Sequence, residues 1–327
     1  MTLQISDKFI WDFWHFEEQG EQHLFFLQAD RAIGNPDLRH WNVSVGHAVS
    51  QDLRNWTPLG TVFGPQAGPA WDDYTTWTGS VIKAEGRYHL FYTGTCRAEN
   101  GMRQRIGHAV SDSINGPWQR VGSGLALDLD QRYYEEYEEG RWHDRALRDP
   151  WVLPEKIDGM YHMFYTARRN DGPIYERGVI GHAVSADLVQ WEATAPVYAG
   201  GHYGQLEVPQ VFEREGRWYC VFCNVAPHWS EQMRAAHKGG VSGTHYLVAD
   251  NPLGPWQPAP GFLDGDVPCR RYAGKILRDP VTGQDCLMAF EDTGADGVFA
   301  GRIGDPIPLR MEAGLYLAVA GDNLAAK

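Results

Sequence analysis

The chain has 327 residues, 43% of them hydrophobic and 13% aromatic, which is ample for a large buried core in one domain or two. Its 42 Asp and Glu outweigh 29 Lys and Arg to give a net charge of −13, and an acidic surface of that size repels a phosphate backbone, so nucleic acid is excluded as an expected partner. No apolar run approaches the ~20 residues of a membrane-spanning helix, so no membrane partner is expected either.

The N-terminal stretch MTLQISDKFIWDFW lacks a basic segment followed by an apolar one, so it predicts no secretory signal and a cytoplasmic protein. Within it FIWDFWHF is the first predicted strand. HLFFLQA is the second, and GHAVS at Gly46 is the third, followed by Trp56. The order then recurs. WTGSVIKA, RYHLFYTG and GHAVS at Gly107 lead to Trp118. RDPWVLPE, YHMFYTA and GHAVS at Gly181 lead to Trp191. LEVPQVFE and RWYCVFC lead to a worn copy around His245 and Trp256. YAGKILRD, DCLMAF and a faint GVFAGRIGDPIPL complete the series.

These segments are short, aromatic and β-branched, and Gly-containing turns separate them, which is a strand signature. Each unit reads as four antiparallel strands. Five units of ~65 residues predict an all-β fold, a five-bladed β-propeller of four-stranded antiparallel blades. It is expected to be a single catalytic domain over residues 1–327, with no room for a C-terminal β-sandwich. A residue that recurs in every blade maintains the ring, so His47, His108, His182 and the repeated Trp are expected to be core residues. Five Cys is an odd number and speaks against a disulfide framework. Cys220 and Cys223 lie three apart on a strand and face opposite ways, so they should not share a metal. No metal motif and no cofactor are expected.

Function is expected where the blades differ. The first strand of each blade lines the central channel. At near-equivalent places on three such strands stand Asp12, Asp149 and Glu207, while the other two offer Trp77 to Ser80 and Tyr272. Burying three unpaired acids is unfavourable, and a fold tolerates it mainly where carboxylates do chemistry. Local neutralisation is the alternative. Arg148 could supply it to Asp149, but Asp12 and Glu207 have no basic neighbour in sequence. Carboxylates in an aromatic pocket suit glycosidic cleavage. One must hold a proton near neutral pH, its pKa raised by burial and like charge, and another must stay ionised. The third can hold sugar hydroxyls.

At these residues the chain resembles the five-bladed glycosidases and fructosyltransferases of glycoside hydrolase families 32 and 68. IWDFW is similar to the W-D-x-W motif of the levansucrase-like family, and WTGS to W-S-G-S. RDP at Arg148 matches the stabiliser motif, LEVPQ resembles the E-C-P or E-R-P motif, and GHAVSQDLRNW resembles an invertase stretch. The resemblance spans roughly residues 10–225. It implies Asp12 as nucleophile, Asp149 as transition-state stabiliser and Glu207 as acid/base. Trp77, Ser80 and Arg148 would line the sugar pocket, with Gln28 a looser match; Trp11 and Tyr272, from their places on the inner strands, are expected to bind substrate beside them. The resemblance further implies a retaining enzyme on sucrose or short fructans, with water or a second sugar as acceptor of the fructosyl unit and the Asp12 and Glu207 carboxyls about 5–5.5 Å apart.

The invertase N-D-P motif is absent. The repeated LRDP at Leu277 to Pro280 is a decoy, and Asp279 is expected in an exposed turn without a catalytic role. Two other functions compete. One is an inverting arabinofuranosidase- or xylosidase-type propeller, with carboxyls about 6.5–9.5 Å apart. The other is a non-catalytic sugar-binding propeller, whose acids would be dispersed or each held in a tight salt bridge. The loops 128–146 and 226–242 are expected on the aglycone side. The first reads equally as a solvated excursion, a pocket wall or lid, or an oligomer contact. The partner called for is a small saccharide, and the sequence leaves the oligomeric state open.

Overall fold

A computed structural model describes residues 2–237, 240–266 and 269–317. Blade 1 comprises β1 (Lys8–Glu18), β2 (Glu21–Asp30), β3 (Ser44–Ser50) and β4 (Trp56–Phe63). Blade 2 comprises β5 (Thr75–Ala84), β6 (Arg87–Thr95), β7 (Arg105–Ser111) and β8 (Gln119–Leu127). Blade 3 comprises β9 (Leu147–Val152), β10 (Tyr161–Arg168), β11 (Gly178–Ser185) and β12 (Glu192–Tyr198). Blade 4 runs β13 (Glu207–Arg214), β14 (Arg217–Asn224), β15 (Ser242–Ala249) and β16 (Gln257–Pro258), with β17 (Asp264–Asp266) also paired to β15. In blade 5, β18 (Arg271–Arg278) pairs β19 (Asp285–Thr293), which carries both β20 (Phe299–Ile303) and β21 (Ile307–Pro308).

The inner strands close a ring, with β1 packed on β5 and β18, β5 on β9, β9 on β13 and β13 on β18. This is the expected five-bladed propeller. The expected GHAVS strands are β3, β7 and β11.

The repeated sequence has a steric cause. A Cβ on Gly46, Gly107 or Gly181 would lie 2.3, 2.2 and 2.2 Å from the rings of Phe26, Tyr92 and Tyr165, each directly opposite on the second strand. The next residue is His, stacked on Phe25 and Phe91 at 4.3 and 4.5 Å and tilted against Phe164 at 5.4 Å. Each His also bonds a second-strand His, His23, His89 or His162, at 3.1, 2.9 and 2.9 Å. Burial pushes His47, His108 and His182 down to about 3, so these three rings are neutral and each can accept from, or donate to, its partner ring. The worn fourth copy shows the same logic inverted. Thr244 replaces the glycine, and the residue opposite shrinks from an aromatic to Cys223. The repeated Trp joins blades, Trp118 meeting Phe25 edge-on at 6.1 Å and Trp191 meeting Phe91 at 5.5 Å. Replacing Gly107 by alanine forces Tyr92 aside and is expected to lower stability by about 1–3 kcal/mol. Thermal unfolding should show a melting temperature roughly 2–6 °C lower.

Ring closure also explains Asp279. It lies in the turn after β18 and off the pocket, as expected, but it is buried rather than exposed. Arg54 of blade 1 reaches its carboxylate at 2.7 Å, and the N–H groups of Val281 and Thr282 donate to it at 2.9 and 3.2 Å. Together with the reciprocal backbone bonds between Leu3 and Ile303, this clasps blade 5 to blade 1.

Candidate active site

Every inner strand carries a β-bulge at the same height. The register breaks between Trp11 and Phe13, Trp77 and Gly79, Arg148 and Trp151, Glu207 and Gln210, and Tyr272 and Lys275. Bulges re-aim side chains, and they favour active sites for that reason. In blades 3 to 5 the bulge puts Asp149, Val208 and Ala273 in the left-handed region, with φ of 57°, 54° and 51°. For a β-branched residue such as Val208 that is a strained conformation.

The bulges define two rows. Trp11, Trp77, Arg148, Glu207 and Tyr272 form the row nearer the mouth. Asp12, Thr78, Asp149, Val208 and Ala273 form the next. Asp12 and Asp149 are thus strictly equivalent, whereas Glu207 stands one row above them beside Arg148. All three acids line one cavity of about 580 Å³, together with Trp11, Trp77, Arg148 and Tyr272.

Two expected pocket residues are elsewhere. Ser80 lies past the bulge, in the regular part of β5 that packs on blade 3, and its hydroxyl accepts the Val152 N–H there at 3.3 Å. Thr78, the bulged residue of the same motif, takes the pocket position and donates to the Asp12 carboxylate at 2.8 Å. Gln28 sits on the second strand, and its amide spans blade 1 to Ser44 and Thr61 at 3.3 and 2.7 Å. It stiffens the blade and does not line the cavity.

Arg148 sits at the centre of the electrostatics. Local neutralisation of Asp149 by Arg148 was the alternative to a functional role; the ion pair is present, with Nε 3.5 Å from Asp149, but the terminal nitrogen makes the shorter bond, donating to Glu207 at 2.7 Å. The same guanidinium holds Gln205 at 2.7 Å and Asp144 at 3.2 Å. Tyr272 donates its hydroxyl to the other Glu207 oxygen at 2.5 Å. Asp149 accepts from Thr166 at 2.9 Å and from the Val208 N–H at 3.1 Å. The bulge therefore ties the two acids to one piece of backbone.

These contacts reverse one expectation. Burial works to raise the Glu207 carboxyl, but the Arg148 charge and the bonds from Tyr272 and Arg148 outweigh it and leave it below the ordinary range. Asp12 is instead pushed up to about 7, first by burial and then by the negative charge of Asp149, against the bond from Thr78. Asp149 is also raised, mainly by burial. Of the two acids, Asp12 is therefore the one whose surroundings favour a proton, and Glu207 the one whose surroundings favour the charge.

Loops supply what the strands do not. Of residues 128–146, His143 and Asp144 line the cavity, as the pocket-wall reading of that loop expects. Glu135, buried, is held by Arg168 at 2.7 Å and Arg177 at 2.6 Å, and Trp142 stacks on Arg168 at 3.6 Å. That anchor delivers His143 and Asp144 to the cavity. The segment after β14 brings His228, whose ring stacks on His143 at 5.6 Å. Arg39, His40 and Trp41 reach the opposite wall from a 3₁₀ turn between β2 and β3. None of these was singled out from the sequence. For His143, Asp144 and His228 the signal was their place in the two loops expected on the aglycone side, and for Arg39, His40 and Trp41 it was the Pro-Asp-Leu-Arg-His-Trp run.

The fold and this constellation define a class, an enzyme of glycoside hydrolase type on a five-bladed propeller. Comparison with known proteins agrees. The model of glycosyl hydrolases family 43 matches residues 39–143. An extracellular sucrase of Zymomonas mobilis is 26% identical over 85% of this chain and 76% of its own length. An insoluble β-fructofuranosidase of Daucus carota is 26% identical, over 59% of this chain and 30% of its own. Among solved structures, the inulosucrase of Halalkalicoccus jeotgali bound to kestose superposes with a TM-score of 0.79, at 20% identity, over 96% of this chain and 88% of that one. Bacillus subtilis levansucrase gives 0.74 at 15% identity, over 97% and 87%. At these identities the structural likeness is one of fold. The resemblance to the five-bladed glycosidases and fructosyltransferases of families 32 and 68 stands, and the family 43 match is an addition to it.

Proposed function

We propose that the protein is a retaining glycosidase of β-fructofuranosidase type, acting on sucrose or short fructans, with transfer to a second sugar as a side reaction. The observation that carries this reading is the convergence of Asp12, Asp149 and Glu207 on one cavity with aromatic walls. Asp12 attacks the anomeric carbon. Glu207 donates a proton to the leaving oxygen and later takes one from water. Asp149, fixed by Thr166 and the Val208 N–H, binds substrate hydroxyls and stabilises the oxocarbenium-like transition state. The relatives named sucrase, β-fructofuranosidase and fructosyltransferase support the sugar assignment.

The reaction needs the proton on Glu207 and the charge on Asp12. The surroundings of the two acids favour the reverse, so the working form is the minor tautomer of a singly protonated pair. The pH profile of kcat/KM is then a bell. Its acid limb reports the second proton, on Glu207. Its alkaline limb, near the value of about 7 at Asp12, reports loss of the last one. Tyr272→Phe removes a donor that favours ionised Glu207, so the acid limb is expected to move to higher pH while the alkaline limb stays. Initial-rate profiles on sucrose check this.

A second reading has one observation in its favour, the family 43 match over residues 39–143. It makes the protein an inverting arabinofuranosidase- or xylosidase-type enzyme in which Asp12 activates water. Proton NMR of the first-formed product decides between the two: retained β configuration from sucrose supports the first, and inverted product from an aryl-furanoside supports the second. The non-catalytic alternative required dispersed or individually bridged acids. Glu207 is bridged to Arg148, but Asp12 has a neutral partner in Thr78.

A cytoplasmic location is part of the proposal, supported by the buried free thiols Cys96, Cys220, Cys223 and Cys286, which suit a reducing compartment. Cell fractionation tests it, a pertinent check given the relative named extracellular sucrase.

A further inference from the structure

Lys275 lies on β18, just beyond the bulge that follows Tyr272. It is 2% exposed and does not line the cavity. Its ammonium donates to the Val208 carbonyl at 2.6 Å and reaches the Pro209 carbonyl at 3.5 Å. Val208 and Pro209 are the bulge of blade 4, immediately after Glu207, and Val208 is the strained residue whose N–H holds Asp149. Lys275 therefore grips the same short backbone that sets two of the three acids.

A hydrogen bond alone does not account for a charge at this depth. A neutral donor would satisfy the same carbonyl without the desolvation that an ammonium suffers. Burial is the main influence on Lys275 and pushes it down to about 8, while Cys223, Asp149, Asp12 and Cys220 act to keep it protonated. The coupling is mutual, since Lys275 acts to lower Asp12. The geometry agrees, since β18, which carries Lys275, packs directly against β1, which carries Asp12.

We propose that Lys275 is a positioning residue for the reaction: from beneath the cavity it fixes the bulge that presents Glu207, and it supplies the positive charge against which Asp12 becomes a carboxylate. This rests on the glycosidase reading of the pocket. The other ionisable groups around Asp12 are Asp149 of blade 3, Glu207 of blade 4 and Arg39 of the β2–β3 turn. Arg148 serves Glu207, Asp144 and Asp149; among the described residues Arg39 and Lys275 are cations that act on Asp12, Lys275 doing so from β18.

Two variants separate the two roles. Lys275→Gln keeps a donor for Val208 and removes the charge. Lys275→Met removes both. Removing a cation beside a carboxylate raises its pKa, so in both variants the alkaline limb of kcat/KM on sucrose should move up by about half a unit or more. At neutral pH kcat should fall at least about tenfold, with KM within roughly twofold because Lys275 does not touch the sugar. Lys275→Arg, which keeps the charge, should return the limb toward its original place. Should Lys275→Met fail to fold, Lys275→Gln carries the test alone. An alkaline limb unmoved in Lys275→Gln, whether activity falls or not, overturns the proposal. A wild-type protein inactive on sucrose and aryl-furanosides would overturn the glycosidase reading instead, so the two failures are distinguishable.

Discussion

Asp12→Asn is expected to lose turnover of sucrose by about 10⁴-fold or more while melting at a higher temperature than the wild type at pH 8. The loss follows from chemistry, because an amide cannot form the glycosyl ester. The gain follows from linkage. Folding raises Asp12 to about 7 from an unfolded value of ~3.9. Between those values the folded chain holds a proton that the unfolded chain releases. The contribution of Asp12 to stability is thus fully present below about pH 4 and is lost as pH rises through about 7. At pH 8 the buried carboxylate opposes folding by on the order of 2 kcal/mol, allowing for partial screening at the pocket. Asparagine removes that penalty and can still accept from Thr78. Differential scanning calorimetry should show a gain of a few degrees at pH 8 that vanishes at pH 4. A gain of equal size at both pH values would show that charge is not its source.

Glu207→Gln is expected to lower kcat/KM on sucrose by about 10²–10⁴-fold, the range of a general acid. On an aryl-furanoside with a good leaving group the loss should be far smaller for the first step, since little proton donation is needed. Glutamine keeps the shape of the side chain and an acceptor oxygen for Arg148, and Arg148 retains Asp144 and Asp149. The fold should therefore survive with a loss of about 1–3 kcal/mol from the weakened buried pair. Steady-state and burst kinetics on both substrates check it. Equal losses on both would remove Glu207 from the acid role and leave it as a binding group.

Much of this architecture was legible in the sequence because a propeller repeats its packing. GHAVS could be read as a strand from its recurrence alone. The reason it recurs, an aromatic ring lying over each glycine, needed the opposite strand. The three acids stood out because they occupy inner strands where other blades carry Trp or Tyr. Their exact heights did not, since a bulge adds a residue that alternation cannot see. That displaced Ser80 from the pocket, brought in Thr78 and lifted Glu207 one row above Asp12 and Asp149.

Partners across blades were the harder part. Arg148 is adjacent to Asp149 in sequence but donates to Glu207, 59 positions away, because the neighbouring blade places that carboxylate in front of its planar fork. The same contact, with Tyr272, lowers the acid that motif reasoning expected to be raised. Lys275 and the walls bearing Arg39, His143 and His228 belong to the same category, as they matter only once the ring has closed.

The most direct test asks whether a sugar becomes bonded to one particular side chain. Glu207→Gln mixed with an activated fructofuranoside, quenched in acid and digested, can be read by peptide mass spectrometry. A hexosyl increment on the peptide from β1, localised to Asp12, is the predicted result. An unmodified β1 peptide at full occupancy of the cavity, or an increment on any other carboxylate, would contradict the mechanism built on this pocket.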